Sequence, residues 1–123
     1  MLETGEGSFD IESITAAGDF LVIGDDENRT LVYSISQGKL VQRFFGSRAA
    51  ISPIAGLIAV ENVPGRLIVY ELMSGTERER LSFTKPVSIV QFTADGKRLF
   101  VLTADQTAFM FDAAKFGLQT SGK

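Results

Sequence analysis

A repeat with a fixed internal spacing constrains this chain more than any other feature. Ile14, Ile51 and Phe92 each close a short apolar run, and Tyr33, Tyr70 and Phe111 each sit in a later one. Within every set the two landmarks lie 19 residues apart, and both step between sets by 37 and then 41 residues. The extra four residues therefore fall between sets. Phe44 precedes Ile51 by 7 residues, whereas its counterpart Leu81 precedes Phe92 by 11. Gly38 and Gly75, each in the turn after the aromatic run, repeat the step of 37. The clearest copy is the stretch Pro86–Asp112.

The runs between landmarks are short, rich in Val, Ile, Leu and Phe, and bounded by Gly, Asp, Asn or Pro, which is the signal of strands. It predicts strands at Phe9–Thr15, Asp19–Gly24, Thr30–Ser36, Lys39–Phe45, Ala49–Ser52, Leu57–Glu61, Arg66–Met73, Thr76–Phe83, Val87–Thr93, Arg98–Thr103 and Thr107–Ala113. No segment holds a helical apolar period over ten or more positions. About 40 residues and four strands per unit describe a propeller blade. The expected fold is all-β, a partial β-propeller of about three four-stranded antiparallel blades at 9–45, 46–83 and 84–113, the third lacking a clear last strand. Residues 1–8 read as a flexible lead-in and 114–123 as a tail or an incomplete outer strand.

Face patterns agree. Leu31-Val32-Tyr33, Ile68-Val69-Tyr70 and Phe109-Met110-Phe111 are apolar on both faces, as in strands sandwiched between neighbouring sheets. Glu77-Arg78-Glu79-Arg80 alternates in charge, which suits an outer edge strand joined to its neighbour by ion pairs.

Val90–Lys97 (VQFTADGK) resembles the first strand and turn of WD-repeat β-propellers, and Thr103–Thr107 running on to Phe111-Asp112 is similar to that family's second turn and third strand. Ile51-Ser52-Pro53 and Val69-Tyr70 resemble the same elements in the second unit, as does Arg29–Tyr33 in the first. Phe111 stands where the family usually has Trp. The chain has no Trp and no Gly-His dipeptide, so the hydrogen-bonded His, Asp and Trp network of typical members is not carried over. The resemblance implies the fold and leaves the ligand open.

Propellers close with about four to eight blades. Three blades leave apolar flanks on the first and last, and such patches call for a partner. A protein partner is therefore expected. Two copies closing a six-bladed ring, a longer propeller of which this is one piece, and a different chain are the three cases, with self-association slightly favoured.

Composition removes several function classes. The chain lacks Cys and His, so disulfides, thiolate ligands and His-dependent nucleophilic triads are excluded within it. Net charge is −3, unlike the basic footprint of a nucleic-acid binder. No apolar run reaches the ~18 residues that span a bilayer, and the polar start Met1–Gly7 is unlike a signal peptide. The expectation is a protein with no catalytic, cofactor or metal site, no nucleic acid or membrane partner, and a cytoplasmic location.

Individual polar residues read mostly as structure. Asp25-Asp26-Glu27-Asn28 gathers oxygen atoms without the spacing of a calcium loop, so it reads as a turn. Asp95 and Asp105 are turn formers. Tyr33, Tyr70 and Phe111 suit a core better than repeated sugar-stacking platforms. Truncating a fully buried Phe111 to Ala would cost about 3–5 kcal/mol. Because strands alternate in direction, the loops after each second and fourth strand share one end. Asp26, Arg29, Arg48, Arg66 and Lys85 lie there, together with the four-residue expansion at Thr84-Lys85-Pro86, and form the candidate interaction surface. The leading reading is a non-catalytic interaction scaffold. The alternatives are a lectin-like ligand-binding propeller, which requires exposed aromatics, and one piece of a multidomain enzyme.

Overall fold

The computed structural model describes residues 11–25 and 27–116. Eleven strands follow in order: β1 (Ile11–Ala17), β2 (Phe20–Asp25), β3 (Arg29–Ser34), β4 (Lys39–Phe45), β5 (Ser47–Ser52), β6 (Leu57–Val63), β7 (Arg66–Glu71), β8 (Glu77–Ser82), β9 (Val87–Phe92), β10 (Arg98–Thr103) and β11 (Ala108–Asp112). A 3₁₀ turn, Ala113–Lys115, closes the described chain. The strands form three antiparallel meanders, β1-β2-β3-β4, β5-β6-β7-β8 and β9-β10-β11. This is the partial propeller that the repeat predicts. Among the described residues the third blade has three strands.

Two strand boundaries moved for identifiable reasons. β3 stops at Ser34 because the Asp19 carboxylate accepts from the Ser36 amide and the Ser34 and Ser36 hydroxyls, each at 2.9 Å, and turns the chain. β5 starts earlier than Ala49 because only Gly46 separates it from β4. The predicted start of the first strand, Phe9, lies outside the described residues, and β1 runs on to Ala17.

Strand alternation gives each blade two apolar faces. On the first seam, Val22, Val32 and Phe44 of the first blade pack on Ile58, Val60 and Leu72 of the second, with the Phe44 and Tyr70 rings in tilted contact at 4.6 Å. On the second seam, Leu57, Ala59, Leu67 and Val69 meet Val87, Phe92, Leu99 and Val101. Phe83 there lies 4.9 Å from Phe109 and 6.1 Å from Phe111. Positions one repeat apart thus play one role: Val32 and Val69 face the following blade, while Tyr70 and Phe111 face the preceding one.

The two flanks differ in degree: on the first blade's, Ile14, paired with Ile23 across β1 and β2, is 58% exposed. On the flank of the first blade that faces away from the second, Ile23, Leu31 and Tyr33 form a buried cluster, and Tyr33 is 0% exposed. The corresponding flank of the third blade is open. Ile89 and Met110 are 48% and 53% exposed, and Phe100 and Leu102 are half-buried.

The outer strand β8 carries the ion pairs that its charge alternation predicts. Arg78 reaches across to Glu71 on β7 at 3.0 Å, and Arg80 pairs along the strand with Glu77 at 3.0 Å. Among the described residues no helix is long and apolar enough to cross a membrane.

Phe111 is half-buried rather than enclosed. One face of its ring packs on the second blade, but no fourth strand stands beside β11 among the described residues. The fully buried Leu99 has neighbours on every side. Leu99→Ala is therefore expected to cost about 2–5 kcal/mol and Phe111→Ala less than the 3–5 kcal/mol of an enclosed ring. Urea denaturation of both variants checks the order.

Candidate interaction surface

The loops after the second and fourth strands meet at one end and are bonded to each other. The Gly46 amide donates to the Asn28 carbonyl at 2.7 Å, and the Asn28 side chain donates to the Asn62 carbonyl at 3.3 Å. The Phe83 amide donates to the Gly65 carbonyl at 2.7 Å, and the Ala104 amide to the Pro86 carbonyl at 2.8 Å. This belt runs from the first blade to the third.

Gly46 is required at the first crossing. Its φ is +136°, and a Cβ there would run into Val60 and stand 2.7 Å from the Glu61 carbonyl oxygen. Its own carbonyl accepts from the buried Thr30 hydroxyl at 2.9 Å. The second crossing uses the longer segment Phe83–Pro86, which is where the repeat expands.

Glu61 is the centre of the belt. The strand Leu57-Ile58-Ala59-Val60 carries it into the interior, where it is buried. One carboxylate oxygen accepts from the Gly65 amide at 2.9 Å and from the Val87 amide at 2.8 Å. The other lies 3.8 Å from Arg48 Nε. A single side chain therefore ties the β6–β7 turn to the start of the third blade and faces the junction of the first two. Sequence reading missed it, although one acid ending an otherwise apolar strand was a visible signal.

The predicted surface residues divide accordingly. Arg29 is engaged: its Nε donates to Asp25 at 2.7 Å, and it lies 3.5 Å from Glu27. Arg48 leaves the strand at a β-bulge, with φ +52°, and its side chain is 56% exposed. Arg66, the first residue of β7, and Lys85, in the loop before β9, are exposed. Asp26 lies outside the described residues. Beside Arg48 a cleft of about 410 Å³ opens between the first two blades, lined by Ser13, Thr15, Thr30 and Ser47 among others. Its hydroxyls and guanidinium suit a polar side chain.

The turns are held by carboxylates. Burial pushes the Asp25 carboxyl up, but the Arg29 amide and guanidinium and the Glu27 amide outweigh it and hold the group below its ordinary value. The Thr103 hydroxyl, followed by Thr107, lowers Asp105, and the Lys97 amide, followed by the Thr93 hydroxyl, lowers Asp95. The Asp25 oxygens are thus spent on its own turn. Among the described residues no three acidic side chains converge as metal ligands would.

The recurrent aromatics lie on blade seams or flanks within the core. Tyr33 is buried, and Tyr70 and Phe111 are half-buried against Phe44 and Phe83. That placement differs from the exposed rings that a lectin-like reading requires.

No family model and no curated protein matches this sequence. Solved structures do match in shape, and the similar ones are WD40 β-propeller proteins. A chain of the Mitotic Checkpoint Complex superposes with a TM-score of 0.70 at 14% identity, over 89% of this chain and 36% of that one. The Myceliophteria thermophila Cps50 (Swd1) β-propeller domain gives 0.69 at 13% identity, over 85% and 36%. Saccharomyces cerevisiae Sqt1 gives 0.71 at 15% identity, over 85% and 32%. The chain thus spans about a third of each neighbour's length. At such identities the likeness is one of fold.

Two outcomes follow. Glu61→Ala strips two buried amides of their acceptor and is expected to cost about 2–3 kcal/mol. Glu61→Gln keeps an acceptor oxygen and costs less; denaturant midpoints distinguish the two. Because the folded-state values of Asp25, Asp95 and Asp105 are lowered, their contribution is complete above the ordinary carboxylate value and is lost as pH falls through the lowered ones. Urea midpoints are expected to hold down to about pH 4 and fall below it. Asp25→Asn should lower the midpoint at neutral pH and flatten that fall.

Proposed function

We propose that the chain is a non-catalytic β-propeller module, a scaffold for protein interaction. Its organisation is three blade repeats at about 9–45, 46–83 and 84–113, acting without cofactor and in the cytoplasm. The observation that carries this reading is the open flank of the third blade. The two seams between the described blades are packed, whereas this face presents Ile89 and Met110 to solvent. A stable sheet of this kind is completed by another protein surface.

The loop end supports a second contact zone on the same scaffold. Arg48 on β5, Arg66 at the start of β7 and Lys85 in the loop before β9 are exposed around the Glu61 belt, with Arg29 at the start of β3; Asp26 joins this surface by its place in the sequence alone. Rigid loops bearing exposed cations suit a partner with acidic side chains. The chain's length relative to its neighbours fits a module that works within a larger propeller assembly.

Comparative affinity purification from cells tests this. The chain is compared with an Ile89→Lys, Met110→Lys variant and with an Arg66→Glu, Lys85→Glu variant. Both sets of changes lie at exposed sites, so the fold is retained. Proteins held by the unchanged chain should be lost with one variant or the other. An identical protein set in all three would remove the scaffold reading.

A further inference from the structure

The cleft beside Arg48 has a counterpart one repeat later, and there it is filled. Gly24 and Glu61 stand 37 residues apart, the step that relates Ile14 to Ile51 and Tyr33 to Tyr70. Their cross-strand partners on the third strands, Thr30 and Leu67, repeat the same step. Alternation puts both positions on the face toward the next blade, Gly24 with Val22 and Glu61 with Ala59. On the second seam, the buried Glu61 carboxylate accepts from the Gly65 amide of its own blade and the Val87 amide of the next. On the first seam the same position has no side chain. The cleft of about 410 Å³ opens there, against Gly24, with Ser13, Ser47 and Arg48 among its walls. The first seam thus lacks the acid that ties the second together.

We propose that this cleft receives the carboxylate of an acidic side chain from a partner protein, seated where the repeat omits its own acid; the inference rests on the scaffold reading and places one contact of its cation-bearing end. The donors fit that group. Arg48 Nε lies 3.8 Å from Glu61, longer than a charge-assisted hydrogen bond, and the side chain is 56% exposed. Its fork can therefore turn to a second carboxylate. The hydroxyls of Ser13, Thr15 and Ser47 line the same space and rotate to donate. The bulge between Ser47 and Ala50 sets the aim of Arg48, whose φ of +52° is uncommon for a residue with a side chain.

A cationic group fits less well. Asp25 also lines the cleft, but its oxygens accept from the Glu27 and Arg29 amides and from the Arg29 guanidinium, so its charge is answered in place. Glu61 is likewise held by its two amides. Arg48 would then repel an incoming cation without an acid left to attract it.

Titration of the isotope-labelled full chain with acetyl-Gly-Glu-Gly-amide, followed by amide chemical shifts, tests the inference. The expected result is saturable shifts centred on Gly24, Ser47 and Arg48, with a Kd on the order of millimolar for so small a ligand. The matching Gln peptide and acetate should each bind about tenfold more weakly or worse. Arg48→Gln should weaken the Glu peptide about tenfold. Lys39→Gln, which removes the same charge from an exposed site at the opposite end of the blade, should leave it unchanged. Gly24→Glu supplies the missing acid from within the chain and should abolish the shifts. The new Cβ would stand 2.7 Å from Ser13 Oγ, a side-chain end that can rotate aside, and the amide spectrum reports whether the variant is folded. Shifts that fail to saturate, equal binding of the Gln peptide, equal binding of acetate, or binding untouched by Arg48→Gln would each overturn the proposal. If the titration fails while cellular partners are still lost with Ile89→Lys, Met110→Lys or with Arg66→Glu, Lys85→Glu, the scaffold reading stands without this contact. An identical set of cellular partners for all chains would remove the scaffold reading instead.

Discussion

A sheet that is apolar on both faces cannot stand alone in water, and this one requirement orders the whole chain. The third strands of the blades put branched or aromatic side chains on either side of one backbone, so each blade needs a neighbour on each side. The two internal seams meet that need with interdigitated aliphatics and the Phe44–Tyr70 and Phe83–Phe109 ring pairs. The same requirement makes the flanks consequential. Among the described residues, the next-facing surface of the third blade is left unmet.

Packing alone sets distances between blades without fixing their loops. That task falls to polar groups at one end. Glu61 accepts from amides in two blades and lies opposite Arg48 at the junction with the first. A buried carboxylate without such partners would be strongly destabilising. Here, two amide donors and a nearby guanidinium compensate it, so the segments carrying Arg48, Arg66 and Lys85 rest on a fixed base. The exposed cations are therefore presented from a hydrogen-bonded end of the molecule.

The periodic part of this architecture was legible in the sequence. The constant spacing from Ile14 to Tyr33, Ile51 to Tyr70 and Phe92 to Phe111 locates the blades, because seam packing demands the same side-chain type at the same depth. The charge alternation of Glu77–Arg80 likewise marks an outer strand. Features that depend on one contact were not legible. An acid ending the apolar run Leu57–Val60 marks Glu61, but nothing local names its partners, amides 4 and 26 residues away. Asp19 shortens β3 by bonding residues 15 and 17 positions later. Arg29 was grouped with the free cations, yet Asp25 four residues before it takes its guanidinium. The difference between the two flanks was equally hidden, since Ile23 and Leu31 read like any other seam residues.

The resemblance to WD repeats implied a network of His, Asp and Trp that this composition cannot build. Carboxylates at the turns between second and third strands take over part of its work. Asp25 accepts from the amides of Glu27 and Arg29, Glu61 from that of Gly65, and Asp105 from that of Thr107 and the Thr103 hydroxyl. The three acceptors occupy different places relative to the repeat, so they leave no motif that spacing could reveal. Each nevertheless answers one demand: a tight turn between buried strands has inward amides that require an acceptor. Such turns can diverge residue by residue while the seams stay periodic. This accounts for a fold whose shape matches WD40 propellers at TM-scores near 0.7 while its identity with them stays at 13–15%.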